Sequence, residues 1–199
     1  MTDRIGDWIQ TFTGRQFWPL DPQPDDIDIA DIAHALAHDC RFGGHCRRFY
    51  SVAEHSVLLS RTVAPEFRLA ALMHDAPEGY LRDLVRPVKR TMPAYRSAES
   101  AVWRAICARF EIDPDLPDAV HVADNRILVD ERRQNMAPPP APWSACEQVE
   151  PLGVTLRCWT PVEAEFWFLT EFDHLTSGRF AVIPAALPRG SSQKAQSHG

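Results

Sequence analysis

Apolar residues recur at the spacing of an α-helix in several stretches of this chain, and this pattern constrains the fold more than any other feature. After Asp28, the apolar residues at positions i, i+3, i+4 and i+7 are Ile29, Ile32, Ala33 and Leu36. This spacing is typical of an amphipathic helix. Prolines or glycines separate it from the helical stretches that follow. The sequence therefore predicts an all-α fold, a helical bundle with a short C-terminal extension.

The helix starting at Asp28 is expected to end near the glycines at positions 43 and 44. Ser51 followed by Glu54 forms a capping-box pattern, which predicts a helix start there. Further helices are predicted over residues 52–63, 65–76, 94–112, 117–136 and 161–175. One short strand is predicted in the sequence GVTLRCW, residues 153–159.

The predicted organisation has four parts. Residues 1–27 form a loop-rich lead-in, residues 28–136 form the core, and residues 137–187 form an extension that packs back on the bundle. Residues 188–199, which contain Gly, Ser, Gln and Lys, are expected to be a disordered tail. Aromatic residues at near-helical spacing in the extension are interpreted as core or subunit interface: Trp159, Phe166, Trp167, Phe168 and Phe172.

Composition excludes several classes of protein. The start of the chain has neither the basic flank nor the apolar stretch of a signal peptide, and the chain has no apolar run of membrane-spanning length, so a soluble cytoplasmic protein without membrane contact is expected. The five cysteines form no C-x-x-C pair, which predicts reduced thiols. The net charge of -6 argues against stable nucleic-acid binding, because such a protein needs a surplus of cations.

Potential metal ligands fall on three of the predicted helices. His55 lies in the second helix, His74 and Asp75 lie at the end of the third, and Asp124 lies in the fifth. Adjacent helical residues diverge by about 100°, which suits two neighbouring positions around one ion. Two imidazoles and two carboxylates form a mixed nitrogen and oxygen set that favours Mn, Fe, Co, Ni or Zn over Ca.

A lone helical histidine is usually structural. Among the remaining histidines, His34 has the strongest case for a metal role, because it lies at the polar edge of an apolar helix.

No G-x-S-x-G sequence is present, and no cysteine has a histidine at a persuasive spacing, so the nucleophile mechanisms of Ser or Cys enzymes are disfavoured.

The sequences SVAEHS, HDAPEGYLRDLVRPVK and ADNRIL, at residues 51–56, 74–89 and 123–128, resemble those of the HD-domain metal-dependent phosphohydrolases. The resemblance covers residues 28–136. It is strongest to bacterial 5'-deoxynucleotidases and to phage-type HD enzymes that release triphosphate from dATP. It implies an HD-domain helical bundle with one divalent transition-metal ion, Mn, Co, Zn or Fe.

Carried over position by position, the resemblance implies that His55, His74, Asp75 and Asp124 are the metal ligands. It implies that Glu78 and Asp83 form an acidic pair near the attacking water and the leaving group. It further implies that Arg41, Phe42 and Lys89 contact the substrate.

The predicted function is the hydrolysis of a nucleoside or deoxynucleoside monophosphate or triphosphate by a metal-activated water. The length of the phosphate chain stays open, because it depends on how many basic groups reach the outer phosphates. Alternatives are hydrolysis of guanosine tetraphosphate or a cyclic nucleotide on the same scaffold, and a non-catalytic HD module that binds nucleotide. Relatives form homo-oligomers, so a homo-oligomer is expected.

Overall fold

The computed structural model describes residues 4–146 and 148–180, which form a mostly helical bundle and confirm the all-α prediction. The α-helices are α1 Ile29–His38, α2 Val52–Ser60, α3 Arg68–Met73, α4 Glu78–Leu81, α5 Arg86–Lys89, α6 Pro93–Phe110, α7 Asp118–Asn135 and α8 Pro161–Thr176. Short 3-10 turns occupy Pro24–Asp26, Arg41–Gly44, Pro65–Phe67 and Ser144–Cys146. Among these described helices, none combines the length and apolarity needed to cross a bilayer.

The N-terminal segment contains a small antiparallel hairpin, with β1 at Ile9–Gln10 and β2 at Gln16–Phe17. Phe17 is fully buried and stacks on Tyr80, with ring centroids 4.0 Å apart. In the turn, Thr13 donates its backbone N–H and its hydroxyl to the carboxylate of Asp31 on α1. The segment expected to be loop-rich therefore includes a docked hairpin, whose two-residue strands are too short to give a periodic sequence pattern.

The main core lies where α1, α2 and α8 pack together. Its apolar residues include Ile32 and Leu36 from α1, Val57 from α2, and Phe168 and Phe172 from α8, all fully buried. The C-terminal helix therefore packs back on the bundle as predicted. A second apolar cluster joins α2, α3 and α7 through Leu59, Ala71, Val120, Ala123 and Ile127. This second cluster positions the three segments that carry the predicted metal ligands.

The capping box predicted at the start of α2 forms only in part. The Ser51 side chain accepts the backbone N–H of Glu54 at 3.1 Å, as expected for an N-cap. The Glu54 carboxylate instead turns away from the helix start and accepts three backbone N–H groups at 2.6, 2.9 and 2.6 Å, from Arg157, Cys158 and Trp159. Glu54 therefore anchors the C-terminal extension to α2.

The strand predicted over 153–159 is wrong, since this described segment forms no strand or bridge. Its N–H groups bond to side chains instead. The Asp130 carboxylate accepts from Gly153 at 3.0 Å, and the Gln134 amide oxygen accepts from Leu156 at 3.1 Å. The alternation of apolar residues reflected packing against α7 and α2 rather than a sheet. The predicted disordered tail, 188–199, lies outside the described residues, as do residues 181–187 of the predicted extension.

Candidate metal centre and substrate cavity

The four predicted metal ligands lie close together in the bundle, and three of them, His55, His74 and Asp124, place one donor atom each within 4.8 Å of one another. The Nε2 atom of His55 lies 3.4 Å from His74 Nε2, 3.7 Å from Asp75 Oδ2 and 3.4 Å from Asp124 Oδ1. His74 Nε2 lies 3.2 Å from Asp75 Oδ1. Three separate segments, α2, the end of α3 and α7, thus bring two imidazoles and two carboxylates together.

A tightened turn after α3 presents His74 and Asp75 to this point. Beyond Met73 the backbone closes i→i+3 bonds, in which Ala76 N–H donates to the Met73 carbonyl at 2.9 Å and Glu78 N–H to the Asp75 carbonyl at 3.0 Å. Pro77 then precedes the first turn of α4. The α-helix predicted over 65–76 therefore ends at Met73, before the His-Asp pair. Gly79 allows α4 to approach the α1 backbone closely.

The hydrogen bonds of both histidines leave the same ring nitrogen free. His55 Nδ1 donates to Glu131 Oε1 at 2.6 Å, and His74 Nδ1 donates to the Ala71 carbonyl at 2.8 Å. A carboxylate and a carbonyl oxygen only accept, so each Nδ1 carries a proton and Nε2 is the nitrogen of each ring that a metal ion would bind. Such outer hydrogen bonds are typical of histidines that bind metal ions.

The electrostatics of the cluster favour a bound positive charge. Burial opposes protonation of His74, but the adjacent Asp75 carboxylate outweighs it and raises the pKa of His74 to about 9. Burial likewise disfavours the charged form of Asp124, yet His55 and His74 hold the pKa of that carboxyl well below its ordinary value. The carboxylates thus draw protons onto the imidazoles, and a divalent cation would meet the same negative potential. The donor set therefore fits a divalent transition-metal ion.

Arg41, predicted to contact the substrate, is buried behind the metal ligands. Its Nη2 atom donates to Glu131 Oε2 at 3.1 Å, and its Nη1 atom lies 3.5 Å from Asp75 Oδ2. Tyr50 donates its hydroxyl to Glu131 Oε1 at 3.0 Å. Glu131 therefore connects Arg41, Tyr50 and His55 in one buried network. Arg41 also lines the cavity above the cluster. A ligand in that cavity could therefore contact Arg41 and, through it, the buried network.

Glu78 and Asp83 lie on the wall of the same cavity. Burial, reinforced by Asp75 and Asp83, raises the pKa of Glu78 well above its ordinary value. Burial also raises the pKa of Asp83. The Oε2 atom of Glu78 is buried and has no hydrogen-bond partner, whereas its Oε1 atom lies 3.3 Å from Lys89 Nζ. Glu78 is therefore suited to hold a proton facing the cavity.

Lys89, predicted to bind phosphate, forms ion pairs with Glu78 and Glu99. Its ammonium therefore already has two carboxylate partners, while its side chain lines the cavity. A phosphate approaching Lys89 would compete with these carboxylates. The neighbouring Arg86 and Arg90 line the cavity too, which makes the RPVKR stretch a basic wall rather than a single contact.

The cavity above the cluster has a volume of about 680 Å³. Its floor includes Asp75 and Asp124, and its rim includes two aromatic side chains, Phe42 and Trp143, whose ring centroids are 6.1 Å apart. Phe42 has a left-handed backbone with φ of 58°, which turns the 41–44 segment over the cavity. Cavities of roughly 300–1,000 Å³ accommodate small-molecule ligands.

Three residues of the site were missed by the sequence analysis. Glu131 follows Asp124 by seven positions on α7 and so shares its helix face, a signal that could have identified it. Arg86 donates to Asp124 Oδ2 at 3.0 Å, although it is not among the predicted site residues. Trp143 comes from the proline-rich connection after α7, where no periodicity pointed to it.

Two curated proteins are similar to this chain. One is the uncharacterized protein YfdR of Escherichia coli strain K12, which is 43% identical over 126 residues, covering 63% of this chain and 71% of YfdR. Another is the uncharacterized protein RCAP_rcc00048 of Rhodobacter capsulatus, which is 40% identical over 120 residues. That match covers 55% of this chain and 61%, less than two thirds, of the relative. No protein-family model matches the chain.

Proposed function

The chain belongs to the family of the Escherichia coli protein YfdR, and from the chemistry of its site we propose that it is a divalent-metal-dependent phosphohydrolase of nucleotides. The observation that carries this proposal is the convergence of two histidine Nε2 atoms and two carboxylates on the floor of a large cavity. The resemblance to HD-domain phosphohydrolases supports the same assignment.

The cavity wall supports an anionic ligand. Although the chain carries a net charge of -6, four Lys or Arg side chains line this cavity, Arg41, Arg86, Lys89 and Arg90. Guanidinium and ammonium groups donate hydrogen bonds to phosphate oxygens. Phe42 and Trp143 on the rim offer the flat apolar surface that a nucleobase contacts. A nucleotide combines both chemical features.

The basic wall extends beyond the main cavity and favours a polyphosphate. A smaller cavity of about 290 Å³ continues from the shared residues Arg86, Lys89 and Arg90 to Arg96 and Glu99. A monophosphate held at Asp75 and Asp124 would leave these outer arginines without a ligand. A nucleoside triphosphate is therefore the first substrate to test, with the monophosphate as the second.

In the proposed reaction, water attacks phosphorus and a P–O bond breaks. His55, His74, Asp75 and Asp124 would hold a divalent ion, which supplies Lewis-acid charge and lowers the pKa of water. Arg41 and the basic wall bind and orient the phosphate oxygens and offset their charge. Of the acidic pair Glu78 and Asp83, whose pKa values are raised, one accepts the proton that the attacking water loses and the other donates a proton to the leaving oxygen.

The test is hydrolysis of dATP and dAMP by the purified protein with added Mn²⁺ or Co²⁺. Release of triphosphate from dATP, or of phosphate from dAMP, supports the proposal and identifies the length of phosphate chain that is cleaved. Nucleotide binding without turnover by any of these metals would indicate a binding module instead. Absence of both binding and turnover would overturn the proposed function.

A further inference from the structure

A second group of potential metal-binding side chains lies where α1 faces α8. His34 and His38, four positions apart on α1, lie next to Glu165 on α8. One ring nitrogen from each histidine and one carboxylate oxygen of Glu165 lie within 4.8 Å of one another. The cluster shares no residue with the candidate metal centre.

The hydrogen bonds leave this cluster suited to a cation. His38 Nδ1 donates to the His34 carbonyl at 2.8 Å, so His38 presents a lone pair on Nε2. His34 Nδ1 lies 3.0 Å from Glu165 Oε2 and shares a proton with that carboxylate. A divalent ion that binds between these two atoms would take the place of this proton.

The surroundings hold the ligands in place and leave access to solvent. Phe12 of the hairpin stacks on His34, with ring centroids 3.7 Å apart and an interplanar angle of 7°. His38 is exposed, whereas Glu165 is nearly buried. His34 also lines a cavity of about 310 Å³, and the exposure of His38 gives water access to the proposed ion.

We propose that His34, His38 and Glu165 form a second divalent transition-metal site that clamps α1 to α8. Two imidazoles and one carboxylate favour Zn²⁺, Ni²⁺, Co²⁺ or Cu²⁺ over Mg²⁺ and Ca²⁺. Three protein ligands leave at least one coordination position to water. A bound ion would stabilise the packing of α1 against α8, two helices of the main core. The reason is that an ion that binds only the folded protein raises its stability.

The experiment is a Co²⁺ titration of the full chain after removal of metal with a chelator. The unaltered protein should bind two equivalents, and His38→Ala should bind one. The matched control is His174→Ala, which removes another exposed histidine on α8 and should keep two equivalents. Cobalt also reports the ligand type, since nitrogen and oxygen ligands give no intense sulfur-to-cobalt charge-transfer band, whereas the free cysteines would.

A second set of variants separates the two sites. His74→Ala combined with Asp124→Asn removes two ligands of the candidate metal centre and should retain one equivalent of Co²⁺. Adding Glu165→Gln, which preserves a hydrogen-bond acceptor for His34 but not the charge, should weaken that remaining binding by at least about tenfold. Retention of two equivalents by His38→Ala, or sulfur-type absorption for the second ion, would overturn the proposal.

Discussion

His55 donates its Nδ1–H to the carboxylate of Glu131 at 2.6 Å, and both side chains are fully buried. This bond fixes the imidazole so that its Nε2 atom lies 3.4 Å from both His74 Nε2 and Asp124 Oδ1. Glu131 is in turn held by Arg41 and Tyr50. The orientation of one predicted metal ligand thus depends on residues that contact no metal themselves.

Glu131→Gln tests this relationship. The amide keeps the shape of the side chain but loses the charge that polarises His55 and pairs with Arg41. We expect the affinity of the candidate metal centre for Co²⁺ to fall by about 10- to 100-fold, measured by competition with a chelator. Arg133→Ala, an exposed change on the same helix, should leave the affinity unchanged. An unaltered affinity in Glu131→Gln would show that this bond does not tune the centre.

Asp75→Ala tests the metal centre itself. The substitution removes a carboxylate that approaches both His55 and His74. We expect loss of the ion from the main centre and loss of nucleotide hydrolysis, measured by metal analysis and by phosphate or triphosphate release. Asp118→Ala at the exposed start of α7 is the control. If Asp75→Ala still hydrolysed the substrate, the assignment of this site would be wrong.

Glu78→Gln separates proton transfer from metal binding. Glutamine matches the size of the glutamate but carries no transferable proton, and Glu78 is not among the predicted ligands. We expect kcat to fall by about 10²- to 10⁴-fold, while the Co²⁺ affinity stays within about threefold. Glu99→Gln, which removes the other carboxylate partner of Lys89, should retain kcat. An equal loss of kcat in Glu78→Gln and Glu99→Gln would mean that Glu78 acts only by positioning Lys89.

Trp143→Ala tests whether the aromatic rim contacts the base. Stacking of an aromatic side chain on a base contributes about 1–3 kcal/mol, so we expect KM for the nucleotide to rise by about tenfold or more. Metal affinity should not change, because Trp143 lies at the rim rather than among the ligands. Trp8→Ala removes a partly exposed tryptophan in the N-terminal segment and serves as the control. An unchanged KM would exclude base stacking on Trp143.

Glu54→Gln tests the anchor of the C-terminal extension. The glutamate accepts three backbone N–H groups, and a glutamine NH₂ group would face at least one of them. Hydrogen bonds to a charged group contribute about 1.5–3 kcal/mol each. We therefore expect the free energy of unfolding to fall by about 2 kcal/mol. For a chain of this size that lowers Tm by about 4 to 8 °C, measurable by circular dichroism. Glu66→Gln, at an exposed position, should not shift Tm.

The helices and the four converging ligands could be predicted from the sequence for a local physical reason. Helical periodicity records which face of each segment is buried, so α1, α6, α7 and α8 were recognisable from their apolar spacing. His74 and Asp75 stood next to Pro77 at the end of an apolar run, where unpaired charges would be costly to bury. A cation was therefore the simplest partner for them.

Tertiary structure alone decided how that site is supported. His55 and Glu131 are 76 residues apart in the chain, and Glu54 and Trp159 are 105 residues apart. No local pattern encodes such pairs, so Glu131 went unnoticed and Glu54 was assigned to a capping box. Arg41, predicted to contact the substrate, lines the cavity but is also held by carboxylates that only the folded bundle brings to it. The sequence determined which chemical groups are present and on which helix faces they lie. Their partners depended on long-range packing, because a buried charge takes whichever counter-charge the fold places beside it.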